Sequence, residues 1–132
     1  MYNQKIMEIF ANPKNVGMIK CAAGVGEAED NVCGDVIKLY INLEDGTISE
    51  AKFKAFGGVT TIACGYALTE VIKGKLVEDV VESVSDDIVT YLADYPSDKV
   101  YSVVLAKNAL IAAVEDYKKN VEKEMKKNEI KK

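Results

Sequence analysis

Residues 36–56 constrain the fold more than any other stretch of this chain. Ile37, Leu39, Ile41 and Leu43 alternate with Val36, Lys38, Tyr40 and Asn42, the period-two pattern of a strand with two unlike faces. Glu44-Asp45-Gly46-Thr47 follows and has the composition of a hairpin turn. On the return, over residues 48–56, Ala51, Phe53 and Ala55 share one side, and Glu50, Lys52 and Lys54 the other. The pair forms an antiparallel sheet with one wet and one dry face, and the dry face must be covered by something else.

The flanking segments supply the cover. Residues 2–10 read as a short helix with Ile6, Ile9 and Phe10 on one side, stopped by the turn chemistry of Asn12-Pro13-Lys14-Asn15-Val16-Gly17. Residues 24–32 read as a weak edge strand, and Gly34 as a bend before the next one. After Gly57-Gly58, Thr60 or Thr61 can cap a helix that runs to about Lys73 and ends at Gly74. A short helix is expected near 76–83 and another from Ser85-Asp86-Asp87, then a loop at Tyr95-Pro96-Ser97. A long helix follows from about Tyr101, with Ala106, Leu110, Ala113, Val114, Tyr117 and Val121 as its apolar stripe. Residues 122–132 read as a charged, fraying helical tail. Its lysines (Lys118, Lys119, Lys123, Lys126 and Lys127) alternate with Glu122 and Glu124, as on a solvated face. The expected class is α+β, one domain over 1–132, with about three antiparallel strands and helices packed on one sheet face.

Composition removes whole classes of chemistry. The 132 residues contain no histidine, which excludes Ser-His and Cys-His nucleophile pairs and every His-based metal site. A net charge of −4 argues against nucleic acid as a partner. No apolar run approaches a membrane span and no signal-peptide pattern opens the chain, so a cytoplasmic protein is expected. Three cysteines lack the spacing of a disulfide framework. In a reducing compartment they are core residues, metal ligands or reactive thiols.

Of the three, Cys33 is the strongest candidate ligand, because Asp35 stands two residues away on the threshold of a strand. Cys64 shares a helical face with Thr60, Ala67, Leu68 and Val71, opposite Tyr66, Glu70 and Lys73. That pattern places it in the core, with ligation the secondary reading. Cys21 falls in the loop before the edge strand and is a further secondary candidate.

Five segments, in order, resemble the NifU/IscU-type iron–sulfur cluster assembly scaffold family, whose members contain the N-terminal NifU-like domain. They are Asn12-Pro13-Lys14-Asn15-Val16-Gly17, Cys33-Gly34-Asp35-Val36-Ile37-Lys38-Leu39, Phe53-Lys54-Ala55-Phe56-Gly57, Thr69-Glu70-Val71-Ile72-Lys73-Gly74-Lys75, and Leu105-Ala106 with Ala109–Tyr117. The resemblance covers nearly the whole chain. It implies the NifU/IscU (SufE-like) fold, no enzymatic activity of its own, and binding of iron or a labile iron–sulfur cluster through Cys33 and Asp35. Zinc can replace iron in such a site in vitro. It also implies a cysteine desulfurase or other cluster-assembly factors as partners.

This chain departs from the family's pattern at two of its three thiolates. The second position holds Gly58, and the third, which opens the long helix, holds Ser102 after Tyr101. The chaperone-docking motif keeps only Pro96 and Lys99 of its pattern. Three readings stand together: a scaffold or carrier whose site is completed across a homodimer, an interaction module without a cluster, and a sulfur relay through Cys33.

Overall fold

The structure, a computed structural model, describes residues 2–130. Helix α1 spans Gln4–Ala11 and is followed by strands β1 (Gly24–Glu29), β2 (Val36–Glu44) and β3 (Thr47–Phe56). Helices α2 (Val59–Ile72), α3 (Val80–Leu92) and α4 (Val100–Ile130) complete the chain, with a 3-10 turn at Ser97–Lys99 ahead of α4. The fold is α+β: a three-stranded antiparallel sheet in the order β1-β2-β3, with four helices.

The β2–β3 hairpin closes through Asp45 and Gly46, with φ of 53° and 78°. Two successive positive φ values are the twist that a two-residue hairpin loop requires. Across the sheet Gly26, Leu39 and Phe53 lie in one row, and Gly24, Ile41 and Ala51 in the next. These residues form the dry face, and all six are buried. On the opposite face Glu27, Lys54 and Phe56 are exposed, while Tyr40 is buried, with the Lys38 ammonium 5.5 Å from its ring.

Helix α4 lies against β1, and α2 against β3. The glycines of β1 permit the first contact. A methyl group on Gly26 would come within 2.1 Å of the Ala113 amide nitrogen, and one on Gly24 within 2.4 Å of the Ala113 carbonyl oxygen. The low strand propensity of this segment is thus the cost of seating a helix directly on it. Gly65 does the same for α2, where a methyl would meet the Phe53 ring at 2.6 Å.

The edge strand is shorter than expected, ending at Glu29, and Phe10 is exposed rather than on the covered side of α1; three further sequence expectations need correction. The two helices expected near 76–83 and from Ser85 are one helix, α3. Val80, Val84, Ile88 and Leu92 recur every fourth residue and are buried, and this stripe overrides the capping chemistry of Ser85-Asp86-Asp87. Thr60 and Thr61 do not cap α2. Gly58 is its N-cap without a side-chain bond, and both threonines are buried in its first turn. The apolar stripe of α4 ends before Val121, which is 38% exposed, because the sheet it packs on ends earlier. Residues 122–130 continue as helix, and 131–132 of the expected tail lie outside the described residues. Among the described residues, no helix is long and apolar enough to cross a membrane.

Candidate metal centre

Three chain segments converge at one end of the sheet: the β1–β2 turn, the Gly57-Gly58 corner between β3 and α2, and the first turn of α4. The β1–β2 turn is closed by its own backbone. Gly34 donates to the Asp30 carbonyl at 2.7 Å, and Asp30 donates to the Asp35 carbonyl at 2.8 Å. The Asp30 carboxylate accepts from the Val32 amide at 2.9 Å. Gly34 has φ of +75°, a conformation that side chains disfavour, and it separates two residues with opposite surroundings. Cys33 is exposed. Asp35 is buried, at 9% exposure.

The Asp35 carboxylate is enclosed by Gly57 and Thr61. Gly57 roofs it so closely that a methyl there would lie 2.6 Å from the carboxyl carbon. Thr61 donates its hydroxyl to Asp35 Oδ2 at 2.5 Å. Behind Thr61, the Ser102 hydroxyl lies 3.2 Å from the Thr61 hydroxyl and 2.9 Å from that of Thr60. Ser102 and Thr61 are fully buried and Thr60 nearly so, so these hydroxyls satisfy one another away from water.

Electrostatics hold Cys33 as a thiol. Partial desolvation by the turn, the negative charges of Asp30 and Asp35, and a hydrogen bond with Asp30 all raise its pKa, while the Lys99 ammonium lowers it and is outweighed. A cation placed here would reverse that balance, because metal binding takes the thiolate.

The other two thiols are elsewhere. Cys64 is completely buried, donates toward the Tyr95 hydroxyl at 3.5 Å, and has its pKa pushed up to about 12 by burial. Tyr95 in turn donates to the Lys99 carbonyl at 2.6 Å, so the Cys64–Tyr95 contact ties α2 to the segment entering α4. Cys21 is exposed with φ of 57°. It precedes β1 whereas Cys33 follows it, and six strand residues between them span about 20 Å. Cys33 and Asp35 thus flank Gly34 at the end of the sheet, one exposed and the other buried, while Cys64 and Cys21 lie elsewhere. Among the described residues, no group of three or more Cys, Asp or Glu side chains is placed to hold a metal ion.

Sequence reasoning missed the parts played by Thr60, Thr61 and Ser102. The available signal was two adjacent hydroxyl residues in the first turn of an otherwise apolar helix, read as capping chemistry.

Comparison with known proteins agrees with this architecture. The model of the family "NifU-like N terminal domain" matches residues 1–124. The chain is 40% identical over 125 residues to the iron-sulfur cluster assembly scaffold protein IscU of Rickettsia prowazekii, covering 92% of this chain and 95% of that one. It is 38% identical over 117 residues to iron-sulfur cluster assembly scaffold protein IscU 1 of Archaeoglobus fulgidus, covering 89% and 76%. Among solved structures, the N-terminal NifU-like protein of Brucella abortus superposes with a TM-score of 0.74 at 15% identity, covering 89% of this chain and 94% of that one. A protein of Fervidobacterium islandicum, assigned to cluster assembly scaffolding in the SUF system, gives 0.72 at 23% identity, covering 86% and 96%. At such identities the structures speak for the fold, and the sequence matches speak for the lineage. By these sequence matches the chain belongs to the family of NifU-like N-terminal domains.

Proposed function

We propose that this protein is an iron–sulfur cluster assembly scaffold or carrier, with Cys33 as thiolate ligand and Asp35 as oxygen ligand to the cluster it carries. The observation that carries this reading is the pairing of an exposed thiol with a fixed carboxylate across Gly34, in a chain whose relatives bear the scaffold name. The donor set fits half a site. A [2Fe–2S] cluster takes four protein ligands, and two chains related by a twofold axis supply two Cys33 and two Asp35.

The surface beside Cys33 supports such a pairing. Val32 is 92% exposed, and Val100 and Val104 about half exposed, along a groove between the β1–β2 turn and the start of α4. A second copy would remove this apolar rim from water. Cysteine desulfurase or other assembly factors are the proposed partners, and the cytoplasm the proposed compartment.

An interaction module without a cluster is the second reading. It is favoured by the single accessible thiol at the site, the other positions of the family's thiol set being Gly58 and Ser102. The relay reading is disfavoured, because a persulfide acceptor needs a thiolate of lowered pKa and the surroundings of Cys33 raise it.

Anaerobic reconstitution with iron and sulfide separates the two. The scaffold reading predicts visible charge-transfer absorption in the wild type and its loss in Cys33→Ala. A colourless wild type with no bound iron would leave the interaction module.

A further inference from the structure

The connection from α3 to α4 carries backbone strain that its own side chains do not hold. Ala93 has φ of 56° and ψ of 147°, and Asp94 has φ of 42°. Residues with side chains populate such conformations sparsely, and the strain persists only where neighbouring structure over-determines it. Both residues are exposed, so burial of their side chains does not fix the turn.

A residue from the other end of the chain holds it. Asn3 caps α1, its side-chain oxygen accepting from the Ile6 amide at 2.8 Å. The side-chain nitrogen of the same residue donates to the Leu92 carbonyl at 3.0 Å and to the Ala93 carbonyl. One amide group thus serves the start of α1 and the end of α3 together. Helix α1 lies against α2, and its Lys5 ammonium stands 3.9 Å from the centre of the Tyr91 ring on α3, so Asn3 reaches the turn only while α1 is docked. Beyond the turn comes Tyr95, whose hydroxyl accepts from Cys64 at 3.5 Å and donates to the Lys99 carbonyl at 2.6 Å. Cys64 is completely buried.

We propose that Asn3 is a latch through which docked α1 keeps the Ala93-Asp94 turn closed, and that its release lets Tyr95 move away and exposes the buried Cys64 thiol. The strained turn supplies the tendency to open, and the Asn3 amide opposes it. The device couples the N-terminal helix to the connection that leads into the first turn of α4, and it is independent of cluster binding.

Alkylation of Cys64 by iodoacetamide in the full-length protein, followed by peptide mass spectrometry at urea concentrations well below the unfolding midpoint, tests this. Asn3→Asp keeps the acceptor that caps α1 and removes the donor to the turn. It is expected to speed Cys64 labelling about 10-fold, as for the loss of a well-made hydrogen bond. Ala93→Gly takes the strain out of the closed turn. It is expected to slow labelling in an otherwise wild-type chain and to return Asn3→Asp toward the wild-type rate. The wild type supplies a readout that needs no variant to fold. Labelling through the latch is a local opening, so its rate should vary little with urea. Unchanged Cys64 labelling in Asn3→Asp, or failure of Ala93→Gly to offset it, overturns the inference. A wild-type labelling rate that follows the urea dependence of global unfolding also overturns it, because Cys64 would then be exposed only when the whole chain unfolds.

Discussion

At the scale of single residues, the site depends on two neighbours with opposite fates. Gly34 leaves Cys33 in solvent while Asp35 is drawn under Gly57. This difference predicts how the thiols react. Iodoacetamide applied to the native protein should modify Cys21 and Cys33 and spare Cys64, with all three modified in urea; peptide mass spectrometry reads the result. The rate at Cys33 should rise with pH and reach half its maximum above the ordinary thiol value, because partial desolvation and then the charges of Asp30 and Asp35 favour the protonated form. Asp30→Asn should move that midpoint down. A Cys33 midpoint below the ordinary range would contradict the electrostatics described here. Cys33 and Asp35 were legible as candidates because their chemistry stands in the sequence as neighbours. The hydroxyl chain was not legible. Thr61 and Ser102 are 41 residues apart, and only the packing of α4 against α2 brings them within reach.

At the scale of elements, packing is dictated by where the sequence omits side chains. Gly26→Ala should cost about 3 kcal/mol, the upper end for overpacking, since the added methyl meets the α4 backbone, which cannot rotate away. Urea denaturation measures it, and a loss below about 1 kcal/mol would mean that α4 is not seated on β1 as described. The connection from α2 to α3 is held by Lys75, whose ammonium donates to Asp87 at 2.6 Å, with Ser83 donating to the same carboxylate at 2.9 Å. The hydrogen bond from Lys75 holds the Asp87 pKa below the usual carboxylate value, against a smaller opposing effect of desolvation. The stability this contributes is present above the unfolded-state pKa and is lost as pH falls through the lower folded-state pKa. The pair is partly exposed, so Asp87→Asn should cost about 0.5 kcal/mol at neutral pH, with no difference in strong acid. A deficit that persists in acid would assign the loss to packing instead.

Strand pairing was legible because period two and the Asp45-Gly46 turn point to one register. The helix boundary near Ser85 was not. Its local capping chemistry and the Val80–Leu92 stripe conflict, and burial of four apolar side chains outweighs a cap.

At the scale of the whole molecule, the apolar surface beside Cys33 and the half-complete ligand set support the same proposal, a second copy of the chain. Val104, 49% exposed on α4, lies on the rim of that groove and outside the core. Val104→Asp should leave the monomer's thermal midpoint within about 2 °C of the wild type, as for an exposed surface change, while abolishing cluster-dependent association. The most direct test is sedimentation of the anaerobically reconstituted protein, recorded at once in protein absorbance and in cluster absorbance. The proposed site predicts that all cluster absorbance sediments with a dimer, that the colourless fraction remains monomeric, and that Cys33→Ser abolishes both the colour and the dimer. Cluster absorbance sedimenting with a monomer, or persisting in Cys33→Ser, would contradict it.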